Sequence, residues 1–404
     1  MSNPIFDRTA TEMQLTWGDP EHITIRADRV SSDKKGVYGE LEITNTATPE
    51  RSHLHGPVLF NFIASTTRKQ LASTLSDMLA IDWLPIIEYA CNKFAAAFRD
   101  GEPAYNMADV EMPESLGMRV APLLQEKCPT IFFGEGDSLK SYFATYLAVI
   151  TRLGYPAAGL MPEPGNVLFL DYEDERDSFW KRLNMITAGL GEAIPDGIIH
   201  RKMVMPLEKE ISAITKFVRD LNIELLIIDS AAPASSMPEE ADSVINYFNS
   251  LRSLNVTSLT IAHDTKATQG VGQYPFGSVF WRNMARSLFF VKADHDDDSV
   301  AISLRHTKAN NGKRLPLLAW EWHFDQDAVH VSTATPSDYV ELSKGLGLRE
   351  RLSEILNQPQ SVRDIAEELG ADQGSIRKTL NRGEKKGTFQ RQGDLWAKTY
   401  PGQE

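Results

Sequence analysis

Cysteine is almost missing from these 404 residues: only Cys91 and Cys128 occur, far apart and without a second ligand at metal-binding spacing. That excludes a disulfide framework and a thiolate-built metal centre, and it fits a reducing, cytoplasmic setting. Long apolar runs are missing too. Arg152 interrupts the stretch 142–160, and Met1 to Arg8 has no apolar signal core, so nothing reads as membrane-spanning or secreted. A surplus of positive charge is the third absence. With 42 Lys and Arg against 55 Asp and Glu, the net charge is −13, which argues against coating nucleic acid with the whole surface. The length allows two or three domains whose cores need no covalent staples.

Three segments emerge along the chain. Residues 1–112 begin with alternating apolar and polar residues over 22–30 and 37–44, around Ser31 to Gly36, which predicts a hairpin. A helical stretch follows from Thr66 to Arg99, making an N-terminal α+β accessory domain with no evident chemistry. Residues 113–335 alternate helical patterns with short apolar runs at 130–133, 166–170, 223–228, 258–262 and 287–291. Several runs are continuous, as strands buried on both faces should be, so an α/β fold with a parallel sheet is expected. Residues 345–404 predict a winged helix-turn-helix. A first helix runs over 348–357, a second is capped by Ser361 and stopped by Gly370, and a third is capped by Asp372. Two short strands about Gln392-Gly-Asp394 complete the wing.

The most telling stretch is Gly134-Glu-Gly136-Asp137-Ser138-Leu139-Lys140-Ser141, between the apolar run 129–133 and an amphipathic segment. Strand, glycine-bearing loop ending in Lys-Ser, then helix is the layout of a phosphate-binding loop. Backbone amides face an anion, the lysine adds a point charge and the hydroxyl reaches Mg²⁺. One position departs from the pattern: Leu139 stands where the last glycine is usual. It fits if its φ is already helical and its side chain turns toward the sheet. Two further strands end in carboxylates. Asp229 closes the run 223–228 and suits the acid on the Mg²⁺ side, while Asp171-Tyr-Glu173 follows the run 166–170. Asp171 and Glu173 share a face, and Glu173, one step further out, is placed to activate a water. Asp174 and Glu175 read as caps of the next helix. His263 ends the run 258–262, as a γ-phosphate contact or as a locally bonded strand-end histidine.

This order of features resembles the RecA-like hexameric P-loop ATPases, especially plasmid RepA-type replicative helicases and phage-type relatives, over residues 120–335. The resemblance implies ATP and Mg²⁺ bound by Lys140, Ser141 and Asp229, with Glu173 as catalytic base. His263-Asp-Thr-Lys266 matches the family's H-x-x-K element. Gly277-Ser278 with Asn283-Met-Ala-Arg286 matches its arginine finger, and Lys308-Ala-Asn-Asn-Gly312 its K-A-N-x-G turn. Arg282 competes with Arg286 for the finger, and Arg286 has a plain alternative as a surface charge. Asn310 stands where related helicases carry a second arginine. A finger acting on a neighbour's nucleotide needs a homo-oligomer, and the family implies a hexamer.

Single-stranded DNA in the channel of such a ring would meet the loop 264–276, with Lys266 for phosphate and Tyr274 for stacking. An ordinary flexible loop is the alternative. Arg377, Lys378, Arg382, Lys385, Lys386 and Arg391 concentrate on the third C-terminal helix and wing, as duplex DNA binding needs, although such modules also dock proteins. The expected function is an ATP-dependent DNA motor, a helicase or translocase in phage or plasmid replication or recombination. The alternative is a regulatory DNA-binding protein whose weakened loop binds ATP with little turnover.

Overall fold

Alternating sequences and continuous apolar runs sort the strands of this chain into two sheets of different kind. The computed structural model describes all residues except 1, 9–11, 48–51, 102–103, 112–115, 265–273, 297, 344–345 and 400–404. The chain packs as two units. One comprises Met1–Gly117, Met205–Asn222 and Asn249–Val256; the other Met118–Val204, Ile223–Phe248 and Thr257–Glu404.

In the first unit β1 (Ile5–Arg8), β2 (Glu12–Trp17), β3 (Ile23–Asp33), β4 (Gly36–Asn45) and β5 (His53–Asn61) form an antiparallel sheet in chain order. Its alternation buries Leu15, Trp17, Ile23, Ile25, Leu41 and Ile43 on one face. Helices α1 (Ser65–Ser76) and α2 (Trp83–Asp100) share that core through Leu71, Leu75, Ile86 and Phe94. The single helix expected over 66–99 is therefore two. Pro85 gives the reason: inside a longer helix its ring would strike the carbonyl of residue 81. In the first turn of α2 its missing N–H costs nothing. The Trp83 indole donates to the Leu79 carbonyl at 3.0 Å and fastens the joint.

The second unit starts with β6 (Met118–Ala121) and β7 (Leu124–Gln125), which form a small sheet with β9 (Met161–Pro162). Then come β8 (Pro129–Gly134), α3 (Lys140–Leu153), β10 (Asn166–Asp171), α4 (Arg176–Gly189) and β11 (Ile198–Lys202). After α5 (Leu207–Asp220), which belongs to the first unit, follow β12 (Ile223–Asp229), α6 (Ala231–Ala234), α7 (Ala241–Leu254), which is counted with the first unit from Asn249 on, β13 (Thr257–His263) and α8 (Phe280–Met284). The strands β14 (Ser287–His295), β15 (Ser299–Ala309), β16 (Leu318–Phe324) and β17 (Val329–Thr333) complete a nine-stranded sheet. Its order is β11-β10-β12-β13-β8-β14-β15-β16-β17.

From β11 to β14 every pairing is parallel; the last three pairings are antiparallel. The sheet is thus mixed, where uniform parallel pairing was expected. The connections after β14, β15 and β16 are too short for crossover helices, and antiparallel return is what short links allow. The five runs picked from sequence are all strands, and β8 is buried along its whole length. Helix α3 lies at the centre of this core, its Phe143 stacked on Phe132 and packed against Trp320 and Trp322. Burying each such side chain contributes about 1.5–3 kcal/mol, so the helix that starts at Lys140 is held firmly.

The C-terminal elements are α9 (Val340–Ser343), α10 (Leu348–Ile355), β18 (Gln360–Ser361), α11 (Val362–Leu369), α12 (Gln373–Glu384), β19 (Phe389–Gln392) and β20 (Leu395–Lys398). Leu352, Ile365, Ile376, Leu380, Phe389 and Trp396 give the last of these a small core of their own. Ser361 accepts from the Asp364 amide, Gly370 ends α11 at φ 58°, and Asp372 accepts from the Ser375 amide at 2.9 Å. A Cβ on Gly383 would lie 2.1 Å from the Phe389 ring, so glycine lets α12 touch the hairpin. Among the described residues no helix is long and apolar enough to cross a membrane.

Candidate nucleotide-binding site

Register brings the chemistry to one edge of the sheet. Asp171 of β10 pairs with Asp229 of β12, and His263 of β13 pairs with Gly134 of β8. All four therefore sit at the C-terminal ends of parallel strands, where ligands of open α/β sheets bind. A cavity of about 600 Å³ opens there, lined by Gly136 to Tyr142, Glu173, Asp229, Ile261, His263 and residues of α4.

The loop 134–139 bends tightly between β8 and α3. A Cβ on Gly134 would fall 2.3 Å from the Val291 carbonyl, so that position has no room for a side chain. A Cβ on Gly136 would meet nothing within 4 Å, which leaves open space above the loop. Leu139 is left-handed, φ 53° and ψ 22°, and not helical as the sequence reading required. The conformation is one that glycine takes without penalty and leucine at a cost of about 1–2 kcal/mol. Its side chain packs against the main core, which offsets that cost.

Lys140 is 6% exposed, and its ammonium donates to the Gly134 carbonyl at 3.1 Å, to the Ser138 hydroxyl at 3.0 Å and to the Glu135 carbonyl. Burial lowers its pKa below the usual lysine value, and Asp229, Glu173, Asp264 and Glu135 recover only part of the loss. Asp229 is 3% exposed. Burial pushes its carboxyl up to about 7, with Glu173 and Asp171 adding repulsion and the Ser141 hydroxyl and Arg182 opposing. Its Oδ1 is buried and has no hydrogen-bond partner among the described residues.

An orphaned carboxylate oxygen beside the hydroxyl of the first helical turn is a donor pair that fits Mg²⁺. Among the described residues no group of three His, Cys, Asp or Glu is arranged to hold a metal by itself.

Asp171 organises the neighbouring turn. Its Oδ1 accepts from the amides of Glu173 at 3.0 Å and Asp174 at 2.7 Å, and its Oδ2 lies 3.2 Å from His200 Nε2. Burial alone would raise its pKa; the His200 contact and the two amides outweigh it and hold it below the usual value. Glu173 is thereby projected into the cavity, where Ser230 donates to its Oε1 and His263 Nε2 stands 3.6 Å away. His263 also anchors the next loop, for the Phe276 amide donates to its carbonyl at 2.8 Å.

The structure does not bring Arg286 to this cavity. Its amide bonds the Pro129 carbonyl at 3.0 Å, at the opposite end of β8 from Gly134. Six residues of strand separate the two positions by about 17 Å, beyond the reach of an arginine side chain. Lys308 lies at that far edge as well. Its ammonium donates to the carbonyls of Arg282, Asn283 and Ala285 at 2.7, 2.9 and 2.7 Å, which uses all three of its protons. Lys308 thus clasps the end of α8 within its own chain. Arg282 lies over the Tyr274 ring at 4.6 Å. Lys266 lies outside the described residues. Arg377, Lys378, Arg382, Lys385, Lys386 and Arg391 are all exposed on α12 and the hairpin that follows.

Among the cavity residues that sequence reasoning missed are its two cations on α4, Lys181 and Arg182. The signal was available in the spacing of Ser178, Lys181, Arg182 and Met185, one helical stripe following a strand-end glutamate.

Residues 106–269 match the model of a family described as AAA domain. The matched segment contains the loop, Glu173, Asp229 and His263. Solved structures match as well. One is a KaiC-like protein of the hyperthermophilic archaeon Pyrococcus horikoshii, 14% identical, covering 52% of this chain and 90% of that one at a TM-score of 0.39. No curated protein matches the chain.

Proposed function

We propose that this chain is an ATP-driven DNA motor that works as a ring of identical subunits, six in number, and hydrolyses ATP between neighbours. The observation that carries the reading is the separation just described. Lys140, Ser141, Asp229, Glu173 and His263 share one edge of the sheet, and Arg286 stands at the other. In the proposed ring a second subunit would complete a site split in this way.

In this reading the loop amides and Lys140 hold the β- and γ-phosphates, the ammonium exchanging the loop carbonyls for phosphate oxygens. Ser141 and Asp229 would hold Mg²⁺, which would supply positive charge beside the phosphates. Glu173 takes a proton from water as its oxygen bonds the γ-phosphorus and the bond to the β-phosphate oxygen breaks, leaving ADP and phosphate. Arg286 of the adjoining protomer stabilises the transferring group. His263 links Glu173 to the loop behind it, so that DNA held by Lys266 and Tyr274 could gate turnover. The exposed basic face of α12 and its hairpin suits a winged helix-turn-helix on duplex DNA.

A second reading is favoured by the left-handed Leu139 and by the hold of loop carbonyls on Lys140: an ATP-binding DNA regulator with little turnover. DNA-stimulated ATPase of wild type, Glu173→Gln and Lys140→Ala separates the two. Turnover that rises with single-stranded DNA and disappears in both variants supports the motor. Tight duplex binding without turnover in wild type rejects it.

A further inference from the structure

Helix α4 offers the cavity a face that the mechanism above leaves unused. Ser178, Lys181, Arg182 and Met185 all line it, because i, i+3, i+4 and i+7 share one side of a helix. Arg182 is the unusual member. It is 6% exposed, yet only part of its guanidinium has an acceptor. Nη2 donates to Asp174, and the plane lies 5.6 Å from the centre of the Tyr142 ring. Nη1 is buried with no acceptor among the described residues.

A buried, charged donor without a partner is costly, and a purely structural arginine here would be better served by a second acceptor. Two features hold this one at the cavity wall instead. Asp174 directly follows Glu173, so the carboxylate that grips Nη2 is fixed by the same turn that projects the base. Tyr142 is two residues past Lys140, so the ring under the guanidinium belongs to the phosphate-loop helix. Arg182 also acts electrostatically on the site, since its charge opposes the rise in the Asp229 pKa.

We infer that Arg182 is a phosphate ligand within the protomer's own site, its free Nη1 reserved for the terminal phosphate of a nucleoside triphosphate. The inference rests on the ATP reading and adds to it. The cavity carries its own guanidinium, held by Asp174 and Tyr142, besides the one that arrives from a neighbour. Charge at the γ-position is then sensed before the ring closes, and triphosphate is told from diphosphate by this contact.

The test is affinity for ATP and for ADP, with Mg²⁺, in full-length Glu173→Gln protein so that no hydrolysis intervenes. Adding Arg182→Gln should weaken ATP by about tenfold or more, as loss of a charge-assisted hydrogen bond does. ADP affinity should stay within about twofold. Arg182→Lys, which keeps the charge but not the fork, should fall between. An equal loss for both nucleotides, or no loss, overturns the inference and leaves Arg182 a structural partner of Asp174. Should Arg182→Gln not fold, Asp174→Asn releases the guanidinium instead and must show the same selective loss. An unchanged ATP-to-ADP ratio there is equally fatal. Parent protein that binds neither nucleotide is a different result, because it removes the ATP reading itself.

Discussion

Two lysines at opposite edges of one sheet are built alike and surrounded differently. Lys140 and Lys308 each spend their ammonium on oxygens of a neighbouring turn, three donors on three acceptors. Burial depresses the pKa of both. Around Lys140 four carboxylates pull the value back up; around Lys308 Arg286 and Arg282 depress it further. The first ammonium is held by the very loop whose amides would bind phosphate, and a trianion gives it better acceptors than carbonyls. The second sits among like charges and caps a helix end whose carbonyls want a cation. Similar contacts are thus set in opposite electrostatic surroundings; in the proposed reading the first is exchanged for phosphate and the second is kept.

The largest effects should come from the releasable side. Lys140→Ala is expected to cut ATP turnover by about 10²–10³ through lost phosphate stabilisation. Glu173→Gln should lower turnover by about 10²–10⁴ while nucleotide binding persists. Steady-state rates beside equilibrium binding check both. A Lys140→Ala protein that keeps wild-type turnover would break the comparison at once.

Next comes the retained lysine. Lys308→Met should lower kcat by about tenfold to a hundredfold with little change in KM, since loosening α8 misplaces Arg286 and Arg282. In the proposed ring those arginines serve a neighbour, so mixing Lys308→Met with Lys140→Ala protomers should recover activity that neither has alone. A mixture as inactive as its parts would place the Lys308 effect in its own pocket.

Asp229 sharpens the comparison through pH. An acid whose folded pKa is raised binds its proton more tightly in the native state, so its contribution to stability is full at low pH. That contribution declines from the unfolded value near 4 up to about 7. Asp171, held below its usual value, works the other way and loses its contribution only under more acid conditions. Thermal melting without nucleotide should therefore fall between pH 5 and 7, and Asp229→Asn should flatten that fall. A wild-type profile as flat as the variant's removes the idea that this carboxyl is strained without a cation.

How far the sequence revealed these arrangements depended on whether local chemistry decided them. Continuous apolar runs marked the buried strands, and a carboxylate or histidine at a run's end marked the sheet edge, because both follow from burial alone. Ser361, Gly370 and Asp372 were legible as helix punctuation for the same reason. Pro85 was visible but passed over in favour of helical spacing. The antiparallel turn of the sheet after β14 depended on link length, and Arg182 on which helix face meets the cavity; both are decided by tertiary placement. Lys308 was found by pattern, but a basic residue in a turn does not reveal which carbonyls it will meet.

Leu139 offers the smallest and most discriminating change. Its left-handed backbone is what glycine supplies without strain, so Leu139→Gly removes about 1–2 kcal/mol of conformational cost. It also loses the packing of the leucine side chain on the core and adds freedom to the unfolded chain, terms of similar size. Melting temperature should therefore move by only a few degrees. Nucleotide affinity should improve by about threefold to tenfold, because no Cβ then stands beside the amides that approach phosphate. If affinity falls instead, the leucine is what holds the loop in its binding shape. The releasable lysine would then depend on a packed side chain as much as the retained one depends on its helix end, and the contrast between the two edges would narrow to their charges.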